Sequence, residues 1–386
     1  MNEKKNVLII SYSPLHRDPR ILRQIQALKG GYNIQTLGST SPNVEDVDFF
    51  EIPDMPKCKN IFQKILLGLQ IVFRRCKTVL FRNLSLSVLL DYDFKTPDFI
   101  FANDWNGLYC AYILKNKNNW NCGVYFDAHE YFPAYRETMR WKLLEKPLIK
   151  YALKKTRKEI SLMSTVCPSL ARMYERYYGF NDGFVSVITN SPNYEPGLKP
   201  TSGNGIIRLI HHGGALRARN LENMIDMMEY LPKEKYELNL ILVKMDEEYY
   251  KELVLRARKY SNIHFLEPVP FKEIPAFINQ FDMGVFILNN SIINYKYCLP
   301  NKFFEFVQAR LAIAIGDSPE MKDYLNKYKL GISAKTNNPK DLADEILKLS
   351  KEDIMSFKRN SDKYAEELSA EKNILMLKKI AEDLSK

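Results

Sequence analysis

The sequence lacks any apolar run long enough to cross a membrane. Its longest such stretch, Ile61 to Phe73, contains Gln63, Lys64 and Gln70 and is well short of the roughly 20 apolar residues that a spanning helix needs. The first residues, MNEKKNVLIIS, reach a strand-like run without the longer apolar segment and cleavage site of a secretory signal. We therefore expect a cytoplasmic protein.

Spacings typical of metal sites are also missing. The five histidines show no H-x-x-x-H pair and the six cysteines no C-x-x-C pair, which argues against zinc and for reduced thiols. Two D-x-D strings, Asp46-Val47-Asp48 and Asp91-Tyr92-Asp93, have the carboxylates that a divalent ion prefers. Neither ends a convincing apolar strand, so we interpret both as solvated loop carboxylates and expect no metal cofactor.

The composition is that of a folded chain with a basic surplus. With 386 residues, 46% of them hydrophobic and 26% charged, the chain is long enough for about two domains with separate cores. Its net charge of +10 favours anionic partners, which include nucleotides, nucleic acid and acidic lipid headgroups.

Short apolar runs alternate with amphipathic helical stretches almost from end to end, which predicts an α/β protein with parallel sheets covered by helices. The segment from Ser191 to Gly205, with three prolines and three glycines, interrupts this pattern and is the predicted linker. Ligands of doubly wound sheets bind beyond the carboxyl ends of the strands, so two such domains predict a site between them. The predicted strands are Val7–Ser11, Asp98–Ala102, Gly123–Ala128, Leu162–Cys167 and Val185–Ile188 before the linker, and Ile206–His211, Glu237–Val243, Ile263–Glu267, Met283–Leu288 and Leu311–Gly316 after it.

The segment LPNKFFEFVQA, residues 299 to 309, lies between two predicted strands. Asn301 is a plausible helix cap, so the backbone amides near Asn301 and Lys302 would form an anion site that suits a diphosphate. Glu305, about one turn further along, has the carboxylate that accepts hydrogen bonds from ribose hydroxyls in other nucleotide sites. The alternative is a solvated Lys–Glu pair on an amphipathic helix.

A second segment, HHGGALRARN from residue 211 to 220, directly follows a predicted strand. Gly213 and Gly214 allow close approach of the backbone to a ligand, and Arg217 and Arg219 can neutralise phosphate charge. The spacing is neither that of a Walker loop nor that of a dinucleotide fingerprint. The alternative is a glycine turn with surface arginines.

Two further loops end strands of the first predicted domain. His129 and Glu130 follow the run YFDA, where a histidine can orient a hydroxyl or transfer a proton; a structural histidine is the alternative. The loop containing His16 follows the first strand and is expected on the same side.

The stretch from Lys57 to Arg82 surrounds an apolar middle with basic residues. Such a helix can lie in an anionic membrane interface, and the alternative is an outer-layer helix with a basic solvent side. We do not expect nucleic acid as a partner, because no recognised binding module surrounds the charge.

Taken together, several segments resemble bacterial glycosyltransferases of family 4: VLIISYSPLHRDPRILRQIQAL, FIFANDWNGLYCAYILK, VYFDAHEYFPAYRE, VCPSLARMYERYYG, VITNSPNYEP, HHGGALRARNLENMID and LPNKFFEFVQARLAIAIGDSP. The resemblance implies a GT-B fold of two facing doubly wound domains. It also implies a retaining, metal-independent hexosyltransferase or related enzyme that uses a nucleotide diphosphate sugar. We expect a UDP- or GDP-linked donor and a glycan or lipid-linked acceptor, in surface polysaccharide or glycolipid assembly.

By this resemblance, residues 1–190 would bind the acceptor and residues 206–350 the donor, while residues 351–386 would form C-terminal helices that pack back on the first domain. The family's ribose-binding glutamate matches Glu305, and its diphosphate contacts match Asn301 and Lys302. Its histidine at the site edge matches His129, and His16 and Glu130 would lie on the acceptor side.

The sequence departs from the family pattern at two positions. The family's basic pair matches Gly214 and Arg219, so Arg217 would supply the missing charge, and Tyr297 replaces a glutamate near the donor sugar. These departures leave open a non-catalytic nucleotide-sugar-binding partner subunit. A basic nucleic-acid-binding protein is a further alternative.

Overall fold

The computed structural model describes residues 4–54, 61–202 and 205–386. They form two compact units. The first comprises the described residues up to Ile188 together with Asn373–Lys386, and the second comprises Thr189–Lys372.

The first unit contains a seven-stranded sheet in which all neighbouring strands are parallel. Its strand order is β3-β2-β1-β4-β5-β6-β7, a doubly wound arrangement that places helices on both faces. The strands are β1 Asn6–Ile10, β2 Asn33–Gly38, β3 Val47–Glu51, β4 Phe99–Asn103, β5 Gly123–Ala128, β6 Ile160–Thr165 and β7 Val185–Val187. The helices are α1 Pro19–Leu28, α2 Ile61–Val72, α3 Cys76–Asn83, α4 Leu86–Leu89, α5 Asp104–Asn118, α6 Lys146–Thr156 and α7 Pro168–Tyr178.

The first β-α unit has the strand and the helix start that its sequence pattern predicts. Residues Val7 to Ile10 of β1 are completely buried, as the apolar run predicts for a central parallel strand. The Asp18 side chain caps α1 by accepting a hydrogen bond from the Arg20 amide at 3.1 Å, and Pro19 supplies a preset first-turn dihedral.

The prediction that Asp48 lies in a loop is wrong. Asp48 belongs to β3, an edge strand, where its carboxylate accepts a hydrogen bond from the Lys95 ammonium at 2.9 Å. An edge strand exposes one side to solvent, so charged residues are tolerated there and no apolar run marks the strand.

The second unit contains a six-stranded parallel sheet in the order β10-β9-β8-β11-β12-β13. The strands are β8 Ile207–Gly214, β9 Tyr236–Val243, β10 Ile263–Leu266, β11 Met283–Phe286, β12 Ala312–Ile315 and β13 Gly331–Ser333. The helices are α8 Glu222–Met227, α9 Glu247–Ala257, α10 Ile274–Ile278, α11 Ile293–Lys296, α12 Asn301–Gln308, α13 Pro319–Tyr328, α14 Pro339–Leu347 and α15 Lys351–Tyr364. The prediction of two doubly wound α/β sheets is therefore confirmed.

The last helix, α16 Ala370–Leu384, contributes to the first unit. Leu377, Ile380 and Ala381 pack in one apolar cluster with Val7 and Ile9 of β1. In the parts of the chain that the structure describes, no helix is long and apolar enough to span a bilayer.

Candidate functional site

In the second unit, β8 and α12 bring together most of the residues predicted to bind a donor. The helix begins at Asn301, and Pro300 occupies the cap position without a side-chain cap bond. The prediction that Asn301 caps the helix is therefore wrong by one position: Asn301 is the first helical residue. Its amide still belongs to the helix end, where backbone N–H groups lack intrahelical partners.

Lys302 is a buried cation, with only 7% of its surface exposed. Its Nζ donates to His211 Nε2 at 3.1 Å and lies 4.3 Å from the centroid of the Phe286 ring. His211 Nδ1 lies 2.9 Å from the carbonyl oxygen of Val285. Because a carbonyl only accepts, Nδ1 carries the proton and Nε2 is left as the acceptor for Lys302.

Burial and the nearby Arg219 guanidinium together lower the pKa of Lys302 to about 7, against the opposing effect of Glu305. Burial and the Lys302 charge hold the pKa of His211 well below its ordinary value, so this imidazole is neutral. An anionic ligand would favour the charged form of Lys302, because an opposite charge nearby stabilises an ammonium.

One carboxylate oxygen of Glu305 is buried without a hydrogen-bond donor. Glu305 is 2% exposed, and its Oε1 has no hydrogen-bond partner among the described residues. Burial raises the pKa of Glu305 to about 7, against the pull of Lys302. The other oxygen lies 3.2 Å from His212 Nε2, but burial and the Lys302 charge lower the pKa of His212 to about 3. His212 is therefore neutral, and this contact is not an ion pair.

The end of β8 approaches the Lys302 ammonium closely. Gly213 has a backbone φ of +140°, and a Cβ added there would lie 3.1 Å from Lys302 Nζ. Arg219 Nη1 donates to the Gly214 carbonyl at 3.3 Å. The positive φ of Gly213 therefore favours glycine, whereas a side chain at Gly214 would require the flexible Met245 side chain to shift.

Arg217 is engaged with a different group. Its guanidinium donates two hydrogen bonds to the Glu252 carboxylate at 2.7 and 2.8 Å, and its side chain is 55% exposed. Of the two predicted arginines, Arg219 is the one whose charge acts on Lys302.

In the first unit, His129 lies between two carboxylates. Nδ1 is 3.0 Å from Asp104 Oδ1, and Nε2 is 3.0 Å from Asp127 Oδ2. Although burial and Arg20 disfavour the charge, the two aspartates raise the pKa of His129 to about 9. Since a carboxylate only accepts, both ring nitrogens donate, and His129 is an imidazolium with no lone pair to act as a base.

The neighbours predicted for the acceptor side differ in their surroundings. Burial and the Asp104 charge raise the pKa of Glu130 to about 7. His16 lies in a short turn and bonds through Nδ1 to the Thr40 hydroxyl at 2.8 Å.

Sequence analysis missed the residues that hold His129. Asp104 directly follows β4 and Asp127 is the second-last residue of β5, and these are neighbouring parallel strands. Acidic residues at the ends of adjacent strands are a recognisable signal, because those ends meet at one edge of a sheet. Among the described residues, no three histidines, cysteines or carboxylates are grouped as a metal site.

Comparisons with known proteins agree with this architecture. Residues 207–384 match the family described as glycosyl transferases group 1. The whole chain has the GT-B fold. A search of curated protein sequences finds no match.

Solved structures of low identity match nearly the full chain. Sucrose-phosphate synthase from Thermosynechococcus elongatus superposes with a TM-score of 0.71 at 12% identity, covering 99% of both chains. HepE from Anabaena, solved with UDP-glucose, gives 0.68 at 12% identity and covers 98% of this chain and 99% of its own. A glycosyltransferase from Rickettsia africae gives 0.67 at 13% identity and covers 99% of both chains. The family match covers less than half of the chain, and the superpositions establish the fold.

Proposed function

We propose that the protein is a retaining, family 4-like glycosyltransferase that moves a sugar from a UDP- or GDP-linked donor to an acceptor hydroxyl. The observation that carries the proposal is the buried, unpartnered Oε1 of Glu305, one helical turn from the start of α12. A buried acceptor without a partner costs free energy, and a ribose hydroxyl supplies the missing donor. HepE has been solved with UDP and with UDP-glucose, which supports a nucleotide donor.

The diphosphate would lie where positive charge converges. Lys302, Arg219 and the first amides of α12 would stabilise the charge that develops as the glycosidic bond to phosphate breaks. Gly213 lets the backbone approach the phosphates, because any side chain there would enter the space beside Lys302. The acceptor hydroxyl would attack on the face that the nucleotide leaves.

Donor binding tests this arrangement through Glu305→Gln. The substitution keeps size but removes a charge, so UDP or GDP affinity should fall about ten- to a hundredfold, as expected for loss of a charge-assisted hydrogen-bond pair. Isothermal titration with ribo- and 2′-deoxyribonucleotides gives the readout. The wild type should prefer the ribonucleotide, and the mutant should lose that preference.

Glu234→Gln is the matched control, because Glu234 is an exposed glutamate of the same unit. It should leave both affinities unchanged. Undiminished binding and intact ribose discrimination by Glu305→Gln would show that Glu305 does not contact the ribose.

For the acceptor, we propose a glycan or lipid-linked carrier used at the cytoplasmic side in surface polysaccharide or glycolipid assembly, with Glu130 and His16 on the acceptor side.

Transfer should proceed without a bound metal, so activity should persist in EDTA. Loss of turnover in EDTA with recovery in magnesium or manganese would contradict this.

The packing of Met245 against Gly214 favours a second candidate. Where the family pattern has a cation, this chain has a thioether, so the protein could bind a nucleotide sugar without transferring it. Nucleotide affinity combined with no donor hydrolysis and no transfer would identify such a binding subunit.

A further inference from the structure

One face of α2 and the turn residue that follows it expose a stripe of large apolar side chains. Phe62, Leu66, Leu69 and Phe73 are 78%, 57%, 47% and 72% exposed. At about 100° per helical residue, positions spaced by four, three and four fall within about 60° of arc. Ile71, on the opposite side of the helix, is 5% exposed and packs in the core of the first unit.

Core packing does not explain this stripe. The following helix α3 also contributes buried residues to the same core, through Cys76, Val79 and Leu80. The α2–α3 pair is therefore already held to the unit by its inner side. Exposed apolar residues are ordinary when scattered singly, but a contiguous patch marks an interaction surface.

The sequence segment that contains the stripe carries charge of one sign. Between Asp54 and Asp91 the sequence contains no aspartate or glutamate, and it contains seven basic residues: Lys57, Lys59, Lys64, Arg74, Arg75, Lys77 and Arg82. Lys57 and Lys59 lie outside the described residues, whereas Arg74, Arg75 and Lys77 are described and exposed directly after the stripe.

Lys77 also lines an open cavity of about 860 Å³. The residues that line it include Lys77 and Arg82, but also the acidic Asp54 and the apolar Phe81 and Val88. Ammonium, guanidinium and hydroxyl groups are the donors that bind phosphate oxygens. Lys77 and Arg82 therefore add basic residues beside the stripe, although the Asp54 carboxylate in the same lining opposes an anion.

We propose that the α2–α3 surface docks the protein on an anionic lipid bilayer. Phe62, Leu66, Leu69 and Phe73 enter the headgroup and acyl boundary, and Arg74, Arg75 and Lys77 contact lipid phosphates. Apolar insertion and electrostatic attraction together are what an interfacial helix needs. A second copy of the chain fits less well, because two such surfaces would oppose like charges. The docking goes beyond sugar transfer and does not depend on it.

Vesicle sedimentation of the full chain tests the proposal. The wild type should sediment with phosphatidylcholine vesicles that contain phosphatidylglycerol and much less with phosphatidylcholine alone. Arg74→Glu/Arg75→Glu/Lys77→Glu should weaken binding to the anionic vesicles by about 100-fold. Each basic residue near such a surface increases the affinity about fivefold. Phe62→Ser/Phe73→Ser should weaken it by about tenfold or more.

Matched controls come from exposed residues of the second unit. Lys235→Glu/Lys272→Glu/Lys322→Glu changes the net charge equally, and Leu255→Ser/Leu347→Ser removes two exposed leucines. Both should bind like the wild type. If the two controls lose as much binding as the α2–α3 variants, the surface is not specific and the proposal fails.

Tryptophan fluorescence gives a readout that does not require a disruptive variant. Emission from Phe62→Trp should shift to shorter wavelength when anionic vesicles are added, and emission from Leu255→Trp should not. No shift at position 62, or a wild-type oligomer that Phe62→Ser/Phe73→Ser dissociates, would overturn the membrane assignment. UDP binding is independent of these results, so failure here leaves the donor site unaffected.

Discussion

At the scale of single residues, His129 shows how a candidate base becomes a fixed cation. Its two ring nitrogens face Asp104 and Asp127 at 3.0 Å, and Ser164 Oγ and Gln24 Nε2 donate to the same Asp127 carboxylate at 2.5 and 3.2 Å. A group so fully engaged is suited to positioning its neighbours. Any direct role in proton transfer would require breaking one of these bonds.

The charge state of His129 predicts a pH-dependent stability. The pKa of His129 is raised from 6.5 to about 9 in the folded protein. Protonated His129 therefore contributes fully to the free energy of unfolding below about pH 6.5, and this contribution is lost as the pH rises towards 9. His129→Gln should therefore lower the free energy of unfolding by about 3 kcal/mol more at pH 6 than above pH 9. Urea denaturation at several pH values measures this difference.

His264→Gln is the control, because His264 is a half-exposed histidine on β10. Its effect should be small at every pH. The charged groups that act on His129 are Asp104, Asp127, Arg20, Asp18 and Glu130. A His129→Gln penalty that is constant from pH 6 to 10 would mean that the imidazole is neutral in the folded protein.

At the scale of elements, the position of α12 is set by the phenylalanine side chains that pack between it and the sheet. Phe303, Phe304 and Phe306 are fully buried, and the Phe306 ring lies directly over Gly284 of β11, in the space that a side chain there would need. This contact sets the height of α12 above the sheet, and with it the positions of Lys302 and Glu305.

Gly284→Ala should therefore act on the donor site at a distance. The added methyl group would push Phe306 and α12 away from the sheet, and overpacking of this kind costs about 1–3 kcal/mol. We expect lower thermal stability together with weaker UDP binding. Calorimetry and titration on the same sample measure both, and Gly68→Ala, at a position with nothing within 4 Å of the added carbon, is the control. If Gly284→Ala is destabilised but binds UDP as tightly as the wild type, the position of α12 above the sheet does not determine nucleotide binding.

Elements that show as apolar runs in the sequence could be predicted. Elements whose buried polar residues depend on distant partners could not. The central strands are buried on both faces, so β1 and β12 show as apolar runs. In contrast, β2 contains buried Gln35 and Thr36, whose side chains bond to the backbone of Lys95 and Asp48, and nothing local reveals such partners. For the same reason Gly213 and Glu305 were found from spacing, whereas the His211–Lys302 pair required the structure.

At the scale of the whole molecule, the chain returns to its first unit at its C terminus. Residues from Asn373 onward belong to that unit, although the family match extends to residue 384. Leu377 is 2% exposed and Ile380 is 9% exposed, in the apolar cluster that also contains Phe99 and Phe101 of the central strand β4. The first unit is therefore incomplete without a helix encoded more than 180 residues after β7.

This topology predicts that a defect in α16 destabilises the first unit selectively. Leu377→Ala removes a buried side chain and should cost about 2–5 kcal/mol, whereas Leu375→Ala in the same helix removes one that is 66% exposed and should cost little. Hydrogen exchange followed by mass spectrometry resolves the two units. Peptides of β1 and β4 should exchange faster in Leu377→Ala, while peptides of β8 and β9 stay protected, because the sheet of the second unit has its own core. Equal acceleration in both sheets would mean that the units unfold together, and equal effects of the two variants would mean that Leu377 does not hold the helix.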